Sequence, residues 1–160
     1  AHSPPELIPE GNTAVFIVGN SRGGGLHALL WVQRMFPNHF QNFVFMNART
    51  VDSKAYGGRE ALEAMRVDAS VSLNYFVNFC RSHGLRAKSY LSFGTDAVEE
   101  LTNLAKVVAE NHPNAIFFTS KLVFENENIL TRLLHNQAAL ELQRRLHSAG
   151  QQMVILPMRL

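Results

Sequence analysis

Apolar residues along this 160-residue chain fall into two kinds of pattern. Unbroken apolar runs stand at Thr13–Val18, Phe43–Asn47, Ile116–Thr119 and Met153–Leu156, and a less regular one at Ala87–Phe93. Short runs rich in β-branched and aromatic residues read as strands buried on both faces. Between them the apolar residues recur every three or four positions. Leu62, Met65, Ala69, Leu73, Phe76 and Cys80 make one such stripe, on a helix from about Glu60 to Ser82. Ala97, Val98, Leu101, Leu104, Ala105 and Val108 make another. Two further helices are read from about Leu26 to Phe36 and from roughly Asn128 to His147. Pro37-Asn38, Gly84, His112-Pro113-Asn114 and Gly150 stand where these helices should stop. Asp96 followed by Glu99 fits a capping box at a helix start.

The order is β-α-β-α-β-α-β-α-β. Strands alternating with helices predict an α/β fold: a doubly wound, mainly parallel five-stranded sheet with helices on both faces, Rossmann-like. Residues 1–12 carry Pro4, Pro5 and Pro9 and read as a linker or cloning remnant, with 13–160 forming a single domain. Such an abrupt polar start is what a piece with an upstream neighbour would have.

Composition narrows the function classes. With 46% apolar and 18% charged residues, the chain reads as soluble and globular rather than disordered. A net charge of +2, with both signs interspersed, gives no strong pull towards nucleic acid or an anionic membrane. The Phe residues sit in apolar runs and do not interleave with basic residues as a base-stacking surface would. The one cysteine, Cys80, has no internal disulfide partner and falls on an apolar stripe, as a buried inert thiol does. No run approaches the roughly 20 apolar residues that span a bilayer, and no signal peptide is visible. The seven histidines make no metal-ligand spacing, so no metal site is expected.

The glycine-rich stretch after the first run supports three readings. Gly23-x-Gly25-x-x-Ala28 matches a loose dinucleotide fingerprint, in which Gly23, Gly25 and Ala28 would let a phosphate approach a helix N-terminus. The acidic residue expected about twenty positions later at a ribose is missing; Arg49 is nearer, and Asp52 comes late. Gly19-Asn20-Ser21-Arg22-Gly23 also matches the G-x-S-x-G elbow of serine hydrolases. No earlier strand exists to supply the oxyanion hole, and Asp52, Asp96, His112 and His135 stand in no telling context as acid or base. The third reading is structural, a tight turn and close helix–sheet packing, and the residues favour it. On the last helix, Arg132, Arg144, Arg145 and His147 form either a solvated face that complements the helix dipole or a docking surface.

Lys121-Leu122-Val123-Phe124-Glu125, Leu134-His135-Asn136-Gln137, Leu142-Gln143-Arg144-Arg145-Leu146-His147 and Met153-Val154-Ile155-Leu156-Pro157 carry a resemblance. So do Thr13-Ala14-Val15-Phe16, the stretch Phe36–Phe45 and Gly94-Thr95-Asp96. Together they resemble the C-terminal cytosolic extension of prokaryotic amino acid permeases, of the amino acid–polyamine–organocation transporter superfamily. The resemblance covers nearly the whole chain after residue 12. It implies a soluble domain on the cytoplasmic side of the cell membrane, joined to a transmembrane part of the same chain that performs the transport. The related cation–chloride cotransporters carry comparable domains.

The resemblance also implies a fold similar to universal stress proteins, many of which bind ATP through a G-x-x-G phrase after the fourth strand. This chain has Thr119-Ser120-Lys121-Leu122-Val123-Phe124 there, without glycine. No cofactor is therefore expected, with ATP or another nucleotide as the alternative. The implied role is regulatory or assembly, without catalysis. Contact candidates are Lys121, Glu125, His135, Asn136, Arg144 and Arg145, and a homodimer through the edge around Met153–Leu160 is expected.

Overall fold

The computed structural model describes residues 3–19, 22–51, 58–120 and 129–156, and of 22 and 129–136 the backbone alone. Its elements run β1 (Thr13–Ile17), α1 (Arg22–Met35), β2 (Asn42–Thr50), α2 (Gly58–Ser82), β3 (Arg86–Gly94), α3 (Ala97–Asn111), β4 (Ala115–Ser120), α4 (Ile129–Ser148) and β5 (Gln152–Leu156). The strands form one sheet in the order β3-β2-β1-β4-β5, and every neighbouring pair is parallel. This is the doubly wound, Rossmann-like α/β arrangement that the alternating pattern predicts. The chain winds outward from β1 through β2 to β3, then returns to β4 on the other side of β1. The direction of winding therefore reverses between β1 and β4.

Alternation along the buried strands sorts their side chains into two cores. Phe16, Phe43, Phe45 and Phe118 pack with Ala28, Leu29 and Val32 of α1 and with Leu73, Phe76, Val77 and Cys80 of α2. Val15, Val44, Met46, Phe117 and Met153 pack with Ala105 and Val108 of α3 and with Leu142 and Leu146 of α4. Helices thus cover both faces, as the apolar strand runs require. Phe16 lies between Phe45 and Phe118, with centroids 5.3 and 5.7 Å away, and ties three adjacent strands through one aromatic row.

Two helix ends follow the sequence directly. Gly84 and Gly150, after α2 and α4, take φ of 75° and 84°, the left-handed conformation that glycine adopts without a Cβ penalty. At the start of α3, the Glu99 amide donates to Asp96 Oδ1 at 3.1 Å, which makes Asp96 the cap.

The start of α1 differs from the pattern reading. The helix begins at Arg22 rather than about Leu26, so the glycines open the helix itself. The reason is packing. A Cβ on Gly25 would lie 2.5 Å from Phe76 Cε1 and 3.2 Å from Val18 Cγ1, so only glycine lets α1 approach α2 and β1 this closely.

Residues 3–12 contain no helix or strand, but their second half is fastened to the amino edge of the sheet. Buried Asn42, the first residue of β2, accepts from the Ile8 amide through Oδ1 at 2.8 Å. Its Nδ2 donates to the Ile8 carbonyl at 2.9 Å and to Thr13 Oγ1 at 3.1 Å. Leu7 packs against the α3/α4-side core. One side chain thus bonds both backbone groups of Ile8, whose carbonyl also accepts from the Gly11 amide at 3.0 Å, and holds the segment against the domain.

Candidate functional site at the carboxyl edge of the sheet

In open parallel sheets, ligands bind outside the carboxyl ends of the strands where the winding reverses. Here that place lies between β1 and β4. A crevice there is lined by Phe16 and Ile17 of β1, Val18 and Gly19 after it, Gly25 and Ala28 of α1, and Phe118, Thr119 and Ser120 of β4. Its volume is about 40 Å³, close to the roughly 30 Å³ share of one water in the liquid. Small-molecule sites occupy roughly 300–1,000 Å³.

Of the residues read as a nucleotide fingerprint, Gly25 and Ala28 are on this wall and buried, while Gly23 is exposed. The space freed at Gly25 is taken by the Phe76 ring. Ser21, the elbow serine, lies outside the described residues, as do Asp52, Lys121 and Glu125.

Beside α2, the end of β2 holds a different kind of site. Val18 donates its amide to the Met46 carbonyl at 3.0 Å, which continues the β1–β2 ladder one step and sets Asn47 beside Val18. Asn47 is 3% exposed, and its Nδ2 has no hydrogen-bond partner among the described residues. Two residues on and facing the same side, Arg49 buries Nε and Nη2, again without a hydrogen-bond partner among the described residues. Asp68 of α2 lies 3.3 Å from Nη2 as an ion pair, but outside hydrogen-bond geometry. The Asp68 side chain is 70% exposed and that of Arg49 only 15%. A solvated carboxylate of this kind stabilises by little. A buried donor left without an acceptor costs about 1–3 kcal/mol, which concerns Asn47 Nδ2 and Arg49 Nε most directly.

Around it, Arg66 lies over the Phe93 ring at 5.2 Å, and Phe93 is the cross-strand partner of Arg49. Glu63 sits 3.8 Å from Arg66 at the surface. The first turn of α1 carries no acidic residue. What this end of β2 presents is a fork of N–H donors without an acceptor, chemistry suited to an anionic oxygen. Arg49 stands out in the sequence only as a cation near the place of a ribose-binding acid. Asn47 has no signal there beyond a polar residue closing an apolar run.

Away from this edge, α3 and α4 border an open groove of about 710 Å³ lined by Thr102, Asn103, Lys106, Arg144, Arg145 and Ser148. The contact candidates Arg144 and Arg145 are exposed there, and Arg145 donates to Glu141 at 2.8 Å. His135 and Asn136 belong to α4, and their side chains lie outside the described residues.

At the amino edge, His112 Nε2 lies 2.9 Å from the Tyr90 hydroxyl. Burial holds its imidazole below the ordinary histidine range, with the Lys88 ammonium adding to the shift. Burial pushes the Cys80 thiol up to about 12. Among the described residues, no group of three or more His, Cys, Asp and Glu could hold a metal ion, and no helix is long and apolar enough to cross a membrane.

No protein-family model matches this chain, and no curated protein or solved structure matches it either.

Proposed function

We propose that this chain is a regulatory and assembly domain of a membrane amino acid transporter, on the cytoplasmic side, without catalysis of its own. The ungapped phrases from Thr13-Ala14-Val15-Phe16 to Met153-Val154-Ile155-Leu156 support the transporter part of this reading. The observation that carries the assembly part is the border of the sheet at β5. That strand pairs with β4 along one side, and its other side forms the end of the sheet. Val154 stands on it 39% exposed, on the face where α1 and α2 pack over the other strands. Among the described residues no strand pairs the outer side of β5, and such an edge with an apolar side chain is a template for a second copy. In this role the domain biases the transporter's states through contacts that differ between them, made with a second copy or with the membrane part.

Fractionation of the source cells tests the transporter reading, with an antibody raised against this domain. The expected result is a membrane band several times heavier than the 17.9 kDa of this chain. A soluble band near 17.9 kDa would overturn it.

A second reading, a nucleotide-binding module, is favoured by one observation: Gly25 and Ala28 line the crevice where the winding reverses. A thermal-shift screen with ATP, AMP, NAD and NADP decides it. A ligand at 100 times its dissociation constant raises stability by about 2.7 kcal/mol. No shift with any of the four removes this reading.

A further inference from the structure

We propose that the carboxyl end of β2 binds a small oxyanion, a carboxylate or phosphate group held by Asn47 Nδ2 and the Nε–Nη2 edge of Arg49. The proposal stands apart from the transporter reading and from the glycine crevice, which lies between β1 and β4.

Three observations converge on it. Asn47 is 3% exposed and its Nδ2 donor is unmatched among the described residues. Buried amide donors in folded proteins are nearly always satisfied, so this one lacks an acceptor. Arg49 buries Nε and Nη2 together. Those two nitrogens share one edge of the guanidinium, and their parallel N–H bonds match two oxygens of one carboxylate or phosphate. Third, the two residues are i and i+2 on one strand, so their side chains rise from the same face. Donors alone point to an anion, because a cation would require oxygens turned inward.

The charges facing the site agree. Arg66, over the cross-strand partner of Arg49, adds a second cation at this end of α2. Among the described residues, the acids paired with these two cations are Asp68 and Glu63, whose side chains are 70% and 67% exposed. Asp68 reaches Arg49 without hydrogen-bond geometry and leaves both inner donors unused.

The test is a titration of the ¹⁵N-labelled chain with sodium phosphate and, separately, sodium acetate, with sodium chloride at equal ionic strength as reference. The Arg49 Nε–H and Asn47 side-chain amide resonances report directly on the two groups. Saturable shifts of both with phosphate assign a phosphate site, with acetate a carboxylate site, and with both a general oxyanion site. Shifts no larger than those in chloride would overturn the proposal. Arg49→Lys keeps the charge but loses the fork, and it should weaken binding about tenfold. Unchanged affinity in a folded Arg49→Lys chain would overturn it as well. The wild-type titration stands by itself if that variant fails to fold.

Discussion

Phe45 and Phe76 stack with centroids 5.0 Å apart and planes 8° from parallel, and the free edge of the Phe76 ring fills the space where a side chain at residue 25 would begin. This links the glycine run to the core. Gly25→Ala should therefore destabilise by about 1–3 kcal/mol through overpacking. For a domain of this size, that lowers the melting temperature by about 2–4 °C per kcal/mol. Adding Phe76→Leu should return part of the loss, because the two residues share one space. A Gly25→Ala chain with unchanged melting would show that the glycine is not there for packing.

The clasp between Asn42 and Ile8 makes the N-terminal segment part of the stability of the sheet. Asn42→Ala should cost about 1–3 kcal/mol, since it strands the amide of Ile8, whose carbonyl keeps only its bond from the Gly11 amide. The loss is read from the urea midpoint at constant slope. Hydrogen exchange at the Ile8 amide should also accelerate. An Ile8 amide that exchanges freely in the wild-type chain would contradict the clasp.

His112 gives a pH dependence with a definite sign. Its folded pKa is lowered by burial and then by Lys88, so the unfolded chain binds the proton more readily. Its effect on stability is neutral above the unfolded value of about 6.5. Stability falls as pH drops below that value, and the loss is complete below the folded pKa. Urea midpoints at pH 7.5 and 5.5 should show this drop, and His112→Asn should make it smaller. Equal pH slopes for both chains would rule His112 out as its source.

Cys80, 0% exposed and with its thiol pushed up to about 12, should be silent towards alkylating reagents in the native state at pH 8. Iodoacetamide labelling followed by mass spectrometry should show modification only in denaturant. Rapid native labelling would place the thiol outside the core.

Val154→Lys tests the β5 edge. A surface substitution should leave stability within about 0.5 kcal/mol. A charge on the border should block edge pairing and shift light-scattering mass from dimer to monomer. A wild-type chain that is monomeric at every concentration would end the assembly reading.

The sheet was legible because both its faces are covered. Runs such as Thr13–Val18 and Phe43–Asn47 have no polar alternation to blur them, and helix stripes such as Leu73, Phe76 and Cys80 repeat at one period. The start of α1 was not legible. Glycine disfavours helix locally, and the contact that overrides this preference comes from Phe76, some fifty positions away. The donors of Asn47 and Arg49 were hidden for a related reason. Sequence shows that a strand ends in polar residues, but only the folded chain, with α2 packed on β2, buries them without acceptors among the described residues. Arg49 drew notice for its charge alone.

β2 carries both the clasp and the fork. Asn42 begins the strand and grips Ile8, and Arg49 stands seven residues further on, about 23 Å along an extended strand. The strand is paired on both sides, by β1 and β3, and cannot bend freely between the two points. An anion drawn into the fork would pull on one end of a rigid rod whose other end holds the incoming chain. Any message between them would travel as a shift of the whole rod against its neighbours, and β2 would serve as the domain's transmission shaft.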